Sequence, residues 1–313
     1  MTIAKIAYRD NKSVFRDVEA TRDVVRYVRG AHGQISRQFK PTARFRKPIG
    51  KPGDPFATLP DGKTAFFNWE AYEVKGPMRA LVLSDIHITW HDKTALIAAL
   101  QYGREKKATV IVLNGDTLDF FSVSKWENDP RQRDFAGELE TGRAVLAQIR
   151  KGFPRARIIF KEGNHEERWS RYLRVKAPEL LGVAEFELAK LLRFDEYRIE
   201  RVGEKRPIRL GQLNVLHGHE YSFPIANPVN PARGLFTRAL AHSICGHLHQ
   251  NSQHSEKTVE QKTIGTWSTG CLCDLHPEYR PQNKWSHGFA YVEVFKDGKF
   301  EVANKFISNG KVY

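Results

Sequence analysis

Between about residue 65 and residue 164, apolar runs alternate with amphipathic stretches. AFFNWEAYEV (65–74), ALVLSD (80–85), TVIVLNGD (109–116) and RIIFKEGN (157–164) read as strands. Between them, Lys93 to Lys106 and Phe135 to Arg150 read as helices. Near-continuous apolar strands alternating with helices indicate βαβ units around a buried sheet. Beyond Leu213 come LNVLHGHE, a helix near 232–241, and SICGHLH. The tail predicts two more strands, FAYVEVF (289–295) and KFEVANKF (299–306), with a turn at Asp297-Gly298.

The first quarter of the chain reads differently. Residues 13–30 predict a helix with Val18, Thr21, Val25 and Val28 on one face, Arg22, Arg26 and Arg29 on another, and Gly30 as its stop. Residues 37–60 carry Pro41, Pro48, Pro52, Pro55 and Pro60 with six basic residues, the composition of an extended linker or arm. The boundary is expected at residue 62, with a basic helix and proline-rich arm over 1–62 and a large α/β domain over 63–313.

Composition limits the choices. With 313 residues, 41% apolar and 11% aromatic, the chain has the material for a packed core. No apolar run is long enough to cross a bilayer, and MTIAKIAYRDNK has charges where a signal peptide needs an apolar segment. The three cysteines, Cys245, Cys271 and Cys273, argue against a disulfide framework and for the cytoplasm. Cys271 and Cys273 read as small buried residues in a strand. A net charge of +14 points to an anionic partner, nucleic acid being the commonest. Residues 1–75 hold fifteen Lys+Arg and eight Asp+Glu, so +7 of the excess lies there.

Each apolar run ends in polar residues where a strand feeds a loop, the position at which open α/β sheets bind ligands. The endings are Asp85-Ile86-His87; Asn114-Gly115-Asp116 with Asp119 close behind; Gly163-Asn164-His165-Glu166; His217-Gly218-His219; and Gly246-His247-Leu248-His249. Residues i and i+2 of a strand share a side, so an Asp-x-His or His-x-His pair can grip one ion. Glycines let the backbone turn into the site. Imidazoles, carboxylates and one amide suit Mn, Fe, Zn, Co or Ni better than Mg or Ca. The donors exceed one ion's needs, and a carboxylate can bridge two ions about 3.5–4 Å apart. A histidine at a strand end is more often hydrogen-bonded than ligating, and that plainer reading is kept for His219, His242, His254 and His276. His219, two residues from His217, is also a candidate to touch substrate. Asp119 has the alternative of a helix N-cap.

In order, D-x-H, G-D-x-x-D, G-N-H-E, H and G-H-x-H over about residues 78–250 resemble the calcineurin-like metallophosphoesterase superfamily. The resemblance implies an α/β fold: a four-layer sandwich of two mixed β-sheets flanked by helices, here with a basic N-terminal extension. It implies that Asp85, His87 and His249 hold one divalent metal ion, that Asn164, His217 and His247 hold a second, and that Asp116 bridges them. Manganese leads the metals expected, ahead of iron, zinc, cobalt or nickel. A metal-bridging hydroxide would attack phosphorus while His165, paired with Asp119, assists the leaving oxygen. Protein phosphatases of the superfamily carry arginines where this chain has Phe120 and Glu162. A phosphomonoester benefits from such a clamp, so the departure leans toward a phosphodiester.

The expectation is a metal-dependent phosphodiesterase acting on DNA, RNA or nucleotides, with no membrane association. Arg44, Arg46 and Lys47 of the arm would contact phosphates, with Phe39 and Phe45 stacking on bases. A small helix-turn-helix, with a short second helix near Gly33–Gln38, is a weaker form of that reading. Alternatively, the helix packs by its valine face and the arm wraps the surface. The competing functions are a small-metabolite phosphatase or pyrophosphatase, and a nucleic-acid-binding scaffold.

Overall fold

The computed structural model describes residues 3–28, 59, 62–63, 69–127, 129–203, 205–221 and 229–313. The chain divides into two units, Met1–Asn68 and Trp69–Tyr313. Arg44, Arg46, Lys47, Phe39, Phe45 and the candidate second helix near Gly33–Gln38 lie outside the described residues.

In the first unit, α1 (Ile3–Asp10) packs on α2 (Val18–Val28). One helix over 13–30 was expected, whereas α2 begins later and α1 precedes it. The cause is a cap, since Asp17 Oδ1 accepts from Ala20 N at 2.8 Å. The buried positions are Ala20, Thr21 and Val24, with Val25 half-buried, so the inward face is turned from the valine stripe. Arg22 pairs with Glu19 at 2.6 Å on the exposed side.

The second unit opens with β1 (Tyr72–Val74), β2 (Met78–Leu83), α3 (Lys93–Glu105), β3 (Val110–Asn114), α4 (Phe135–Gly152) and β4 (Arg157–Lys161). Asp92 and Asp134 cap α3 and α4, accepting from Ala95 N at 2.7 Å and Gly137 N at 2.8 Å. Next come α5 (Glu166–Lys176), the short α6 (Leu188–Leu191) and α7 (Phe194–Tyr197), then β5 (Ile199–Val202), β6 (Ile208–Leu210) and β7 (Leu213–Leu216). The chain continues through α8 (Pro231–Ala239), β8 (Ser243–Cys245), β9 (Ser252–Lys257), β10 (Thr263–Ser268), β11 (His287–Val294), β12 (Phe300–Ser308) and β13 (Lys311–Val312).

Among the described residues the strands form two mixed sheets. One has the order β13-β12-β11-β2-β3-β4-β5, with β2 to β5 parallel. The other has the order β1-β6-β7-β8-β10-β9, with β7, β8 and β10 parallel. Strand alternation divides the core. Ala80, Val82, Val110 and Val112 of the first sheet join Leu213, Val215 and Ile244 of the second in one cluster. Their neighbours Leu81, Leu83, Ile111 and Leu113 face the other way, onto Leu96, Leu146 and Leu173 of α3, α4 and α5. On the far face of the second sheet, Leu216 and Cys245 pack with Leu235 of α8. Helices thus flank both outer faces, the sandwich that the resemblance implied. Among the described residues no helix is long and apolar enough to cross a membrane.

Candidate active site

The carboxyl ends of β2, β3, β4, β7 and β8 deliver the polar residues, but not by strand alternation. β2 ends at Leu83 and β8 at Cys245, so Asp85, His87, His247 and His249 all lie past their strands. Each has left-handed backbone, with φ of 56°, 48°, 66° and 57°; Asp116 (50°) and Phe120 (52°) do the same. The pairs share a direction because two turns aim them. A left-handed L-residue costs about 1–2 kcal/mol, so other bonds must hold these turns. His87 N donates to Asp116 O at 3.0 Å, His247 N to Asp85 Oδ2 at 2.8 Å, and Phe120 N to the Glu138 carboxylate. Gly163 and Gly246 matter for room. A Cβ at Gly163 would lie 2.3 Å from Asp116 Oδ1, and one at Gly246 2.5 Å from Asp85 Oδ2.

The side chains converge. Potential ligand atoms of Asp85, His87 and Asp116 lie within 4.8 Å of one another, and so do those of Asp116, His217 and His247. His249 Nε2 is 3.2 Å from Asp85 Oδ1 and 3.3 Å from His87 Nε2. His217 Nδ1 sits 2.8 Å from the Asn114 carbonyl, which makes it the donor and, in the neutral ring, leaves Nε2 a lone pair. That Nε2 faces Asp116 Oδ2 at 3.1 Å without hydrogen-bond geometry. Asp85 Oδ1, Asn164 Oδ1 and His217 Nε2 are buried with no hydrogen-bond partner. Buried acceptors facing acceptors call for a cation between them, and this nitrogen–oxygen set fits divalent transition metals.

Electrostatics lead to the same place. Burial opposes charge on His217, but Asp116 and Asp85 outweigh it and push its pKa up to about 10. His249 is likewise raised to about 10, by Asp85 against burial. His247 is pushed down to about 4 by burial and by the positive His217. Two buried carboxylates demand positive charge, which protons or metal ions can supply.

Asp119 is not a helix cap: Phe120 occupies the N-cap of the short turn Phe121–Val123. Its Oδ1 is instead 3.0 Å from His87 Nδ1 and 2.9 Å from His165 Nδ1. His165 N donates to Asp116 Oδ1 at 2.9 Å. Three residues on, Arg168 donates from Nη1 to Asp119 O at 2.9 Å and from Nη2 to His165 Nε2 at 2.8 Å. The missing arginines at positions 120 and 162 therefore do not leave the site without a guanidinium. The i, i+3 spacing after His165 was its signal in the sequence.

Two further supports were not read from the sequence. Buried Glu166 accepts from the backbone N–H of Asp116 (3.0 Å), Thr117 (2.8 Å), Leu118 (3.1 Å) and Gly163 (2.8 Å), tying the loops after β3 and β4 together. Lys161, fully buried, meets Glu220 at 2.8 Å, and Glu220 accepts from His217 N at 2.8 Å.

His219 Nε2 lies 3.1 Å from Glu167 Oε1, so this nitrogen is engaged by a carboxylate. His242, His254 and His276 are bonded to Gly265 N, Glu256 and the Pro281 carbonyl, the plain structural roles. Cys271 and Cys273 are buried, but in isolated bridges and not in a strand. Cys273 Sγ is 3.9 Å from His249 Nδ1, and it joins His87 and His249 as a third cluster of potential ligands. A cleft of about 730 Å³ opens beside His87, Asp119 and His249.

A two-sheet sandwich whose strand ends gather this donor set defines a metal-dependent phosphoesterase. The family model of the calcineurin-like phosphoesterases matches residues 78–251, more than half of the chain. The protein belongs to that family, whose members are metal-dependent hydrolases of phosphoesters. Among curated proteins it is similar to the Gene 54 protein of Mycobacterium phage L5, 25% identical over 255 residues, covering 75% of this chain and 98% of the phage protein. The Gene 54 protein of Mycobacterium phage D29 is 26% identical over 229 residues, with 69% and 89% covered. Among solved structures, vacuolar protein sorting 29 from Cryptosporidium parvum aligns with a TM-score of 0.42 and 11% identity, over 76% of this chain and 96% of that one.

Proposed function

We propose that this phosphoesterase is a two-metal phosphodiesterase acting on nucleic acid or nucleotides. The observation that carries the two-metal reading is the position of Asp116, common to two clusters of potential ligands, one holding Asp85 Oδ1 and the other His217 Nε2, both buried without a hydrogen-bond partner. Asp85, His87 and His249 would hold one divalent ion, Asn164, His217 and His247 the other, and Asp116 both, with manganese the first metal to try. Ions bound there neutralise the phosphate and supply a nucleophile at neutral pH.

The chain's own residues have distinct tasks. The Asp119 carboxylate takes the Nδ1 proton of His87, and its main-chain oxygen, with the carboxylate equally near, takes that of His165, which fixes both tautomers and turns each Nε2 the other way. His165 then has Nε2 available for a proton bound for the leaving oxygen. Arg168 must leave that nitrogen first, since a guanidinium only donates, and an oxygen of the substrate phosphate is its natural new acceptor. Glu166 holds the loops of Asp116 and Asn164 in register through four backbone bonds.

A diester has a second organic arm, and the cleft beside His87 and His249 offers it room. The basic balance, half of it in residues 1–75, supports a polyanionic or nucleotide substrate. On this reading residues 1–62 are a nucleic-acid-binding extension, with Arg44, Arg46 and Lys47 on phosphates. Cysteine usage supports a reducing, cytoplasmic location.

The test is chelator-stripped protein reloaded with Mn²⁺ and assayed on bis(p-nitrophenyl) phosphate beside p-nitrophenyl phosphate. Faster diester turnover is expected. Faster monoester turnover would instead select the small-metabolite phosphatase.

A further inference from the structure

The cleft beside His87 and His249 is opposite in charge to the chain that contains it. The protein carries +14, yet no described residue lining this cleft is lysine or arginine. Five carboxylates line it instead: Asp119 at the candidate metal ligands, and Glu127, Asp129, Asp274 and Glu278 beyond it. Asp129 is occupied by Arg131 at 2.7 Å, and Asp274 Oδ1 accepts from His276 N at 3.0 Å. Glu127 and Glu278 are exposed. Such a wall repels phosphate, so the part of a substrate that enters it is uncharged or a hydrogen-bond donor.

The rest of the lining is aromatic. Trp90 and Phe121 form one edge-on pair, with centroids 5.9 Å apart, and Tyr279 and Trp285 form another at 6.2 Å. Trp285 also lies 4.1 Å from the His249 ring, so the aromatic surface reaches the candidate metal ligands. Trp90 is 44% exposed and Tyr279 77%, large rings left to water beside a catalytic site.

Flat apolar faces stack on bases without regard to sequence, and carboxylates accept from exocyclic amines, ring N–H groups and sugar hydroxyls. An alkylammonium group would also suit aromatic rings and carboxylates. Size decides between them. A space of about 730 Å³ is that of a site for a whole organic molecule, far larger than an ammonium head group. Resting on the phosphodiesterase reading above, we infer that this cleft is a nucleoside-binding site, seating one unpaired base and its sugar beside the scissile phosphate. A base can occupy it only outside a stack, so the substrates are single-stranded ends or mononucleotide diesters and not intact duplex.

The test uses the full-length Mn²⁺-loaded protein and two diesters with one leaving group, thymidine 5′-(p-nitrophenyl phosphate) and methyl p-nitrophenyl phosphate. The nucleoside ester is expected to have a kcat/KM about tenfold or more above the methyl ester, carried by KM. Trp90→Ala and Tyr279→Ala, both at exposed positions, should each pull that ratio toward one. A binding measurement runs beside it without turnover: adenosine 5′-monophosphate should quench tryptophan fluorescence more than ribose 5-phosphate does, and less so in Trp90→Ala. Equal rates on the two diesters with no base-dependent quenching overturn the proposal and leave the phosphodiesterase intact. A preference for p-nitrophenyl phosphorylcholine over both esters also overturns it, in favour of an ammonium site. If neither diester is hydrolysed, the phosphodiesterase reading fails, and base-dependent quenching still decides the cleft.

Discussion

Arg168 Nη2 lies 2.8 Å from His165 Nε2, so the histidine proposed to assist the leaving group already accepts a hydrogen bond at its outer nitrogen. A guanidinium has no lone pair to return, so the bond exists only while that nitrogen is unprotonated. On the proposed mechanism Arg168 therefore has two stations, on His165 at rest and on the substrate when it binds.

Arg168→Ala should raise KM for bis(p-nitrophenyl) phosphate by roughly 10–100-fold, the scale of one charge-assisted hydrogen bond. Arg168→Lys should recover only part of the loss, because an ammonium replaces the charge but not the two-pronged donor now shared between His165 and Asp119. An unchanged KM in both variants would confine Arg168 to a structural role. Steady-state kinetics at fixed Mn²⁺ concentration decide it.

Glu166→Ala strands the backbone N–H groups of Asp116, Thr117, Leu118 and Gly163 in a buried place. A loss of roughly 3 kcal/mol or more of stability should follow, with weaker metal retention because two loops lose their common anchor. Glu166→Gln keeps one acceptor oxygen and should fall between. Denaturant unfolding and metal content after gel filtration measure both effects. Full metal content in Glu166→Ala would show that the loops keep their register without it.

The Lys161–Glu220 pair gives stability a pH dependence. Burial favours the neutral acid, but Lys161, followed by His219 and His217, outweighs it and holds the Glu220 carboxyl at about 2 in place of 4.5. A depressed folded pKa stabilises above the unfolded value, and the gain is lost as pH falls from about 4.5 to about 2. The window corresponds to about 3 kcal/mol at most. The wild type should lose thermal stability over that range more steeply than Lys161→Met/Glu220→Gln. Lys161→Met alone should be the least stable near pH 7, since it leaves a buried charge unpaired. Parallel acid slopes in wild type and double variant would exclude the pair as the source.

Much of this site was legible because strand ends announce themselves: an apolar run, then Asp85, Asn114, Gly163 or His217. Its geometry was not. Asp85 and His87 share a side through left-handed turns, which the spacing alone does not distinguish from a strand. Strand β9, SQHSEK, was missed because an exposed edge strand needs no apolar face. Helix α5 was missed because only Glu166, Trp169 and Leu173 of its residues are buried, too few for a visible period. Lys161 read as part of an apolar strand, and nothing local reveals that its partner lies 59 positions away at Glu220.

Asp116 gives the sharpest test of the two-metal reading, because its two oxygens have different duties. Oδ1 accepts from His165 N at 2.9 Å, while Oδ2 faces His217 Nε2 at 3.1 Å and His87 Nε2 at 4.0 Å. Burial opposes its charge, yet His165 and His217 hold the carboxyl well below its usual range. In Asp116→Asn the amide oxygen can keep the bond to His165 N, which turns the NH₂ toward His217 Nε2. That amide donates to the imidazole lone pair and removes a buried negative charge. The two consequences differ in size. Metal affinity and hydrolysis should collapse, with Mn²⁺ per chain falling well below that of the wild type by elemental analysis. Thermal stability in excess chelator should fall only modestly, because without metal the ionised Asp116 is already compensated by His165 and His217 and the variant loses that pairing. A variant that keeps two ions and full activity overturns the bridging role. A variant that loses metal and also melts far earlier in chelator shows that Asp116 holds the fold itself, and the ligand assignment must then rest on other residues.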